Sequence, residues 1–147
     1  MFVIRPWLFV GKFSETREAW LFSTYHIGAM LQLAEAVEQP GIVSLYLPVE
    51  DGEPLPPEVL QQGLHFVQTH KGWGRHVLIA CGAGVSRAPA FAIAALKADE
   101  NLSLLDALRE VHAKAPETLP HPALWKSLCQ YYGENLTLMQ MLEVLRP

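Results

Sequence analysis

Short apolar runs separated by turn-forming residues occupy the first half of the chain, and each run predicts a strand or one face of a helix. Residues 2–4 and 7–10 predict two strands joined by a tight turn at the edge of a sheet. Residues 15–25 predict a short helix capped by Ser14. Residues 42–49 form an apolar run that ends in a polar loop, which predicts a central strand.

The segment 27–37 is compatible with two structures, because its apolar positions suit a helix while residues 27–33 also suit a buried strand. Periodicity leaves both open. Further on, three prolines precede a predicted helix that begins near Glu58. Its inner face is expected to carry Val59, Leu60, Leu64 and Val67.

A second strand and a helix flank a glycine-rich segment in the middle of the chain. Residues 76–80 predict a short buried strand, residues 81–87 a loop, and residues 88–98 an alanine-rich helix with Pro89 in its first turn. Three more helices are predicted at 104–114, 122–132 and 138–145. Strands that alternate with helices, followed by helices alone, indicate an α/β domain with a central sheet flanked by helices and a helical C-terminal cluster.

Length and charge narrow the classes of function. A chain of 147 residues, half of them hydrophobic, fits one domain with a single core over residues 1–147. The net charge is −4 and no run of Lys or Arg occurs, so a nucleic-acid partner has no electrostatic support. The apolar N-terminal stretch is interrupted by Arg5, Pro6 and Gly11, which argues against a signal sequence or membrane span and favours a cytoplasmic protein without a membrane partner.

The two cysteines stand in different settings. Cys81 precedes the glycine-rich turn, whereas Cys129 lies inside a helical apolar pattern. This arrangement argues against a disulfide scaffold. Cys129 is expected to be a small buried hydrophobe.

The segment between strand and helix suits the binding of a tetrahedral oxyanion. Backbone N–H groups in such a loop can converge, and the N-terminus of the following helix adds a partial positive charge. The two glycines allow the required backbone conformations and a close approach of the ligand. The expected substrate-binding residues are Gly82, Ala83, Gly84, Val85 and Ser86.

Cys81 and Arg87 stand at the two ends of this loop. Arg87 offers a planar fork of donors that matches two phosphoryl oxygens, which a lysine does not reproduce. A helix N-terminus and a nearby cation favour the nucleophilic thiolate of a cysteine. The pair therefore predicts a nucleophile and a charge clamp for one phosphoryl group.

These residues resemble a known family. Residues 77–89 are similar to the signature of the dual-specificity branch of the protein tyrosine phosphatases, His-Cys-x-x-Gly-x-x-Arg followed by Ser or Thr, and Cys81, Gly84 and Arg87 match it. Residues 4–11 resemble the family's opening strands, and residues 106–128 its closing helices. The resemblance covers most of the chain, implies a phosphatase-like mixed sheet, and favours a strand at 27–33.

The same resemblance implies a mechanism. Residues 47–51 resemble the segment that bears the general acid, which assigns that role to Asp51, with the adjacent Glu50 as the alternative. Cys81 would attack phosphorus, and Asp51 would protonate the leaving oxygen and later activate water. No metal or cofactor is required. The expected substrate is a phosphorylated protein, at phosphotyrosine and at phosphoserine or phosphothreonine, or a small phosphomonoester.

Two positions depart from the signature. The family's histidine before the cysteine is Ala80 here, and the hydroxyl residue after the arginine is Ala88. In the family these residues support the thiolate and its departure. Ser86 could replace the missing hydroxyl in part or could cap the following helix.

Three other interpretations of the sequence compete with that of a phosphatase. A rhodanese-like sulfurtransferase also places a cysteine loop between strand and helix, and a weakly active phosphate-binding module of the same fold would be consistent with the two alanines. A metal site at the His65, His70 and His76 positions is disfavoured by their spacing. Trp73 is expected to pack in the core. The same is expected of a stripe of large side chains on the helix predicted at 122–132, which consists of Trp125, Leu128, Tyr131 and Tyr132.

Overall fold

Five strands form one mixed sheet in the computed structural model, which describes residues 1–147. The strands are β1 Phe2–Arg5, β2 Leu8–Lys12, β3 Ile27–Gln32, β4 Val43–Tyr46 and β5 His76–Cys81. The order across the sheet is β1-β2-β5-β3-β4, with β1 antiparallel to β2 and all other neighbours parallel. The strand that leads into the glycine-rich loop, β5, therefore lies at the centre.

Seven helices complete the fold, and several begin at residues that satisfy the free N–H groups of the first turn. Ser103 accepts a hydrogen bond from the Asp106 N–H at 3.1 Å, and Thr137 forms a reciprocal capping pair with Gln140. The helices are α1 Phe13–Thr16, α2 Ala19–Thr24, α3 Pro57–Gly72, α4 Arg87–Glu100, α5 Leu104–Lys114, α6 Pro122–Tyr132 and α7 Leu138–Leu145.

The two faces of the sheet are covered by different helices, because successive residues of a strand point to opposite faces. In β5, Ile79 belongs to the large cluster under α3–α7, whereas Leu78 packs with Phe22 of α2 on the other face. The helix α4 is buried on all sides from Ala88 to Leu96. Its small alanines allow α3, α5 and α6 to pack around it, which holds the start of α4 in a constant position under the loop.

One close contact between helices requires a glycine. A Cβ on Gly63 of α3 would lie only 2.4 Å from Cε1 of Phe91 in α4. Any side chain at this position would push the two helices apart. The glycine therefore sets how closely α3 approaches α4.

The structure corrects two predicted elements. The helix predicted at 15–25 is two short helices, because Glu18 has an extended backbone (φ −98°, ψ 92°) that interrupts the helical run before α2. Ser14 lies inside α1 and is not its cap. The strand predicted at 42–49 is shorter and forms an edge of the sheet, where Val43 and Tyr46 are exposed.

The remaining elements agree with the sequence analysis. The segment 27–33 is a strand, and the three C-terminal helices have the predicted bounds. Cys129 and Trp125 are buried as expected, but the expectation for Trp73 is wrong, since 70% of its side chain is exposed. It lies at the end of α3, where Arg75 stacks over its ring at 5.0 Å. None of the helices is both long and apolar enough to cross a membrane.

Candidate active site

Cys81 ends β5 at the carboxyl edge of the parallel strands, and α4 begins six residues later at Arg87. The thiol is almost fully buried, with 3% of the residue exposed. Its sulfur accepts a hydrogen bond from the backbone N–H of Ala88 at 3.3 Å. The first turn of α4 therefore directs a backbone donor at Cys81 Sγ, an arrangement that stabilises negative charge on sulfur.

The loop between them is hydrogen-bonded to two other parts of the chain and packs closely against β2. The Gly82 carbonyl accepts from the Phe13 N–H at 3.2 Å, and the Val85 carbonyl accepts from the Leu119 N–H at 2.8 Å. Gly84 has a φ of +74°, and a Cβ there would lie 3.1 Å from the Gly11 carbonyl oxygen. Both its conformation and its closeness to β2 require glycine.

Arg87 connects the loop to the segment after β4. Its Nη1 donates to the Val49 carbonyl at 2.9 Å. Its other terminal nitrogen lies against Gly82, where a Cβ would be 2.9 Å from Nη2. Gly82 therefore makes room for the guanidinium, whose remaining N–H groups are available to a ligand in the loop.

Ser86 connects the loop to two other segments of the chain through its hydroxyl group. Its hydroxyl donates to Asp51 Oδ1 at 2.7 Å and accepts from the His121 N–H at 2.8 Å. It makes no side-chain cap of α4, so that expectation is wrong. Asp51 is thereby held at the loop and lines the cavity described next, whereas the adjacent Glu50 does not line it.

A cavity of about 470 Å³ lies above the loop. Six of the eight expected site residues line it, and the two glycines, Gly82 and Gly84, do not. The lining members of the expected set are Asp51, Cys81, Ala83, Val85, Ser86 and Arg87. The structure thus brings together a thiol, a guanidinium and a carboxylate that are separated in the sequence.

The two alanines that depart from the family signature are both buried. Ala80 belongs to the small apolar cluster with Phe22 and Met30, on the face of the sheet away from the large core. A histidine there would have to place its polar ring against apolar side chains. Ala88 lies in the large core and contributes its N–H, but no hydroxyl, to Cys81.

The sequence analysis missed the opposite wall of the cavity. This wall is apolar and comes from the start of α6 and from α7. The signal available in the sequence was the i, i+4 pair Leu138 and Leu142, which was interpreted only as a helix. The wall consists of Leu119, Pro120, Pro122, Leu138, Met141 and Leu142.

Two titratable groups with raised pKa values, Cys129 and Tyr132, lie outside this cavity. Burial raises the pKa of the Cys129 thiol, and burial is also the main cause that raises the pKa of Tyr132 to about 12. Both groups are therefore neutral near pH 7. No three His, Cys, Asp or Glu side chains come together in an arrangement that could hold a metal ion.

Comparison with known proteins identifies related chains. The family model described as "Dual specificity phosphatase, catalytic domain" matches residues 8–134. Dual specificity protein phosphatase 5 of Rattus norvegicus is 26% identical over 137 residues, which cover 90% of this chain and 36% of that protein. This chain thus spans about a third of the length of that relative.

Two solved structures share the fold. The crystal structure of human DUSP28 superposes with a TM-score of 0.84 at 23% identity, covering 90% of this chain and 96% of that one. The human tyrosine phosphatase-like serine/threonine/tyrosine-interacting protein gives a TM-score of 0.82 at 21% identity, covering 93% and 98%. The predicted phosphatase-like mixed sheet is therefore confirmed.

Proposed function

Because the chain belongs to the dual-specificity phosphatase family, we propose that it hydrolyses phosphomonoesters through a cysteinyl-phosphate intermediate. The observation that carries this proposal is the single cavity lined by Cys81, Arg87 and Asp51. These three groups are the nucleophile, the oxyanion clamp and the general acid that phosphoryl transfer to a thiolate requires. The proposal requires neither a metal nor a cofactor.

In the first step the Cys81 thiolate attacks phosphorus in line with the leaving oxygen. The phosphoryl oxygens accept hydrogen bonds from the loop N–H groups and from Arg87. As the phosphorus–oxygen bond breaks, Asp51 transfers its proton to the leaving oxygen. The products are the free alcohol or phenol and phosphate bound covalently to sulfur.

In the second step water attacks the cysteinyl phosphate, and Asp51, now a carboxylate, accepts its proton. The phosphorus–sulfur bond breaks and returns the thiolate. The N–H of Ala88, 3.3 Å from Sγ, stabilises the charge that develops on sulfur. Inorganic phosphate then leaves the loop.

Family membership supports phosphorylated proteins as the substrate class, and we propose that hydrolysis occurs at phosphotyrosine and at phosphoserine or phosphothreonine. The single sheet supports a single catalytic domain over residues 1–147. The two free cysteines support a cytoplasmic location, where thiols stay reduced.

Release of inorganic phosphate from para-nitrophenyl phosphate tests the proposal. The wild-type protein should turn this substrate over, and Cys81→Ser should abolish the reaction because a hydroxyl is a far weaker nucleophile. Cys129→Ser is the matched control and should retain activity, since Cys129 does not line the cavity. Transfer of sulfur from thiosulfate to cyanide without phosphate release would instead indicate a sulfurtransferase.

A phosphate-binding module with little activity is the second candidate. The absence of side-chain support from Ala80 and Ala88 favours it, because Cys81 Sγ has only a backbone donor there. Such a protein would bind vanadate at the loop but release no phosphate from any ester. Phosphate release that depends on Cys81 contradicts this candidate.

A further inference from the structure

The helix α7 leaves large apolar side chains exposed beside the catalytic cavity. Only Met141 of this helix is buried, whereas Leu138 and Leu142 are each 40% exposed and Met139 is 64% exposed. Leu119, at the other end of the wall, is 51% exposed. When apolar side chains at the rim of a cleft are exposed to solvent, a ligand that covers them lowers the free energy by removing apolar surface from water.

These side chains are continuous with the site of chemistry. Leu119, Leu138 and Leu142 line the same cavity as Cys81 and Arg87. A molecule whose phosphoryl group enters the loop can therefore cover these side chains with its neighbouring groups. A volume of about 470 Å³ lies in the range of ~300–1,000 Å³ typical of pockets for whole small molecules, so the cavity holds more than the phosphoryl group.

The charges of the cavity limit what that molecule carries. Arg87 is the only Lys or Arg among the 13 lining residues, Asp51 is the only carboxylate, and His121 is the only histidine, with its Nδ1 accepting a hydrogen bond from the Ala123 N–H at 3.0 Å. The chain as a whole carries −4. A second phosphate, an acidic flanking residue or an anionic membrane surface would find no Lys or Arg here other than Arg87, which the phosphoryl group in the loop occupies.

From this pairing of one cation with an apolar wall, we propose that Leu119, Leu138 and Leu142 bind a large apolar side chain next to the phosphorylated residue. The substrate is then a singly phosphorylated peptide segment with apolar flanks, and α7 is the element that selects it. This inference rests on the proposed phosphatase function and specifies its substrate. It makes the C-terminal helix a determinant of specificity.

Three phosphotyrosine peptides that differ only in the two residues flanking the phosphotyrosine test the inference. The flanks are both Leu, both Ser or both Glu. For the wild-type protein, kcat/KM for the Leu-flanked peptide should exceed that for the Ser-flanked peptide by about tenfold, as expected for partial burial of one leucine side chain. The Glu-flanked peptide should be the poorest of the three.

Two surface variants of α7 show whether the wall is responsible. Leu142→Gln should remove most of the preference for Leu over Ser flanks, because kcat/KM should fall for the Leu-flanked peptide and change less for the Ser-flanked peptide. Met139→Gln is the matched control, because Met139 is exposed on the same helix and does not line the cavity. Glutamine suits both positions since it is a good helix former.

Several outcomes would overturn the inference. These are equal rates on the three peptides, equal effects of the two variants, and faster phosphate release from phosphatidic acid in mixed micelles than from the Leu-flanked peptide. If the wild type turns over no phosphate ester at all, the proposed function fails instead. Fluorescence anisotropy of the same labelled peptides bound to the wild-type protein then decides the inference, which requires tighter binding of the Leu-flanked peptide.

Discussion

The Ser86 hydroxyl donates a 2.7 Å hydrogen bond to Asp51 Oδ1 and accepts one of 2.8 Å from the His121 N–H. One side chain in the loop thus joins the segment that carries the carboxylate to the first residues of α6. This hydrogen bond distinguishes Asp51 from the adjacent Glu50, whose side chain makes no hydrogen bond to the loop. The carboxylate at the cleft is therefore the one that Ser86 holds.

Ser86→Ala should reduce activity by releasing Asp51 from its position. We expect a loss of about tenfold in kcat for phosphotyrosine, whose leaving group needs a proton, and little change for para-nitrophenyl phosphate, whose leaving group needs it less. Ser86→Thr retains the hydroxyl and should restore the phosphotyrosine rate. Steady-state kinetics on both substrates measures the difference. An equal loss on both would mean that Ser86 only shapes the loop.

Replacing Asp51 and Glu50 separately by the corresponding amides identifies the general acid. Asp51→Asn should lower the phosphotyrosine rate by roughly 10²–10⁴-fold, the usual contribution of general acid–base catalysis. Glu50→Gln serves as the control and should leave the rate unchanged, because Glu50 does not line the cavity. For a series of aryl phosphates, a plot of the logarithm of the rate against the pKa of the leaving group should become steeper only in the Asp51 variant. The reverse pattern would assign the acid to Glu50.

Arg87→Lys should lose most activity although the charge is kept. The Arg87 guanidinium donates one N–H to the Val49 carbonyl at 2.9 Å, and its other N–H groups are needed for the phosphoryl oxygens. The ammonium group of lysine does not reproduce this planar arrangement of donors. A loss of about 10²–10³-fold in kcat is expected, comparable with removal of one oxyanion donor. Arg109→Lys, in an exposed ion pair with Asp106, is the control. Wild-type activity in Arg87→Lys would contradict the assignment of the loop.

Ala88 should make breakdown of the cysteinyl phosphate the slow step. The leaving sulfur has the backbone N–H of Ala88 but no side-chain donor there, and one well-placed donor contributes ~2.7–4 kcal/mol. Mixing with excess para-nitrophenyl phosphate should give a burst of nitrophenol near the enzyme concentration and then a slow steady rate. Ala88→Ser should raise the slow rate and shrink the burst.

A second buried alanine of α4 provides the control for this prediction. Ala90→Ser places the same hydroxyl in the same helix, but the N–H that bonds to Cys81 Sγ belongs to Ala88, so the Ala90 variant should not change the ratio of burst to steady rate. No burst in the wild-type protein, with no acceleration in Ala88→Ser, would mean that phosphorylation of Cys81 limits turnover.

His70 should make the stability of the fold depend on pH. Burial, and then the charge of Arg75, lower the pKa of His70 below its ordinary value of 6.5. Arginine has no acceptor, so its Nη1 must donate to His70 Nδ1 at 3.2 Å, which requires the neutral ring. The unfolded chain therefore binds the proton more tightly, and this contribution to stability is lost as the pH falls from about 6.5 through the folded pKa.

Urea unfolding at a series of pH values measures this effect. The free energy of unfolding of the wild-type protein should fall between pH 7.5 and pH 5, and His70→Gln should reduce the slope. His65→Gln is the matched control, since His65 is exposed on the same helix. An unchanged slope in His70→Gln would assign the pH dependence to other groups.

Several elements were predictable because their signals lie within one stretch of chain. The helices at 104–114 and 138–145 follow the N-cap residues Ser103 and Thr137, and the helix at 122–132 starts with Pro122, each a recognised start signal. The strand at 27–33 was not decided by periodicity, since its apolar run suits either structure, and only the family resemblance favoured the correct choice. The position of β4 at the sheet edge depends on strand order, which apolar runs do not encode.

The sequence by itself determined the loop, because Cys81, the two glycines and Arg87 are contiguous and a strand and a helix flank them. The tertiary structure alone decided which carboxylate reaches that loop, what Ser86 binds, and which side chains form the opposite wall. Ser86 meets Asp51 and His121 across 35 residues in either direction, and Leu142 lies still further from Cys81 along the chain. Such contacts arise from packing around the buried α4, and a local pattern carries no record of them.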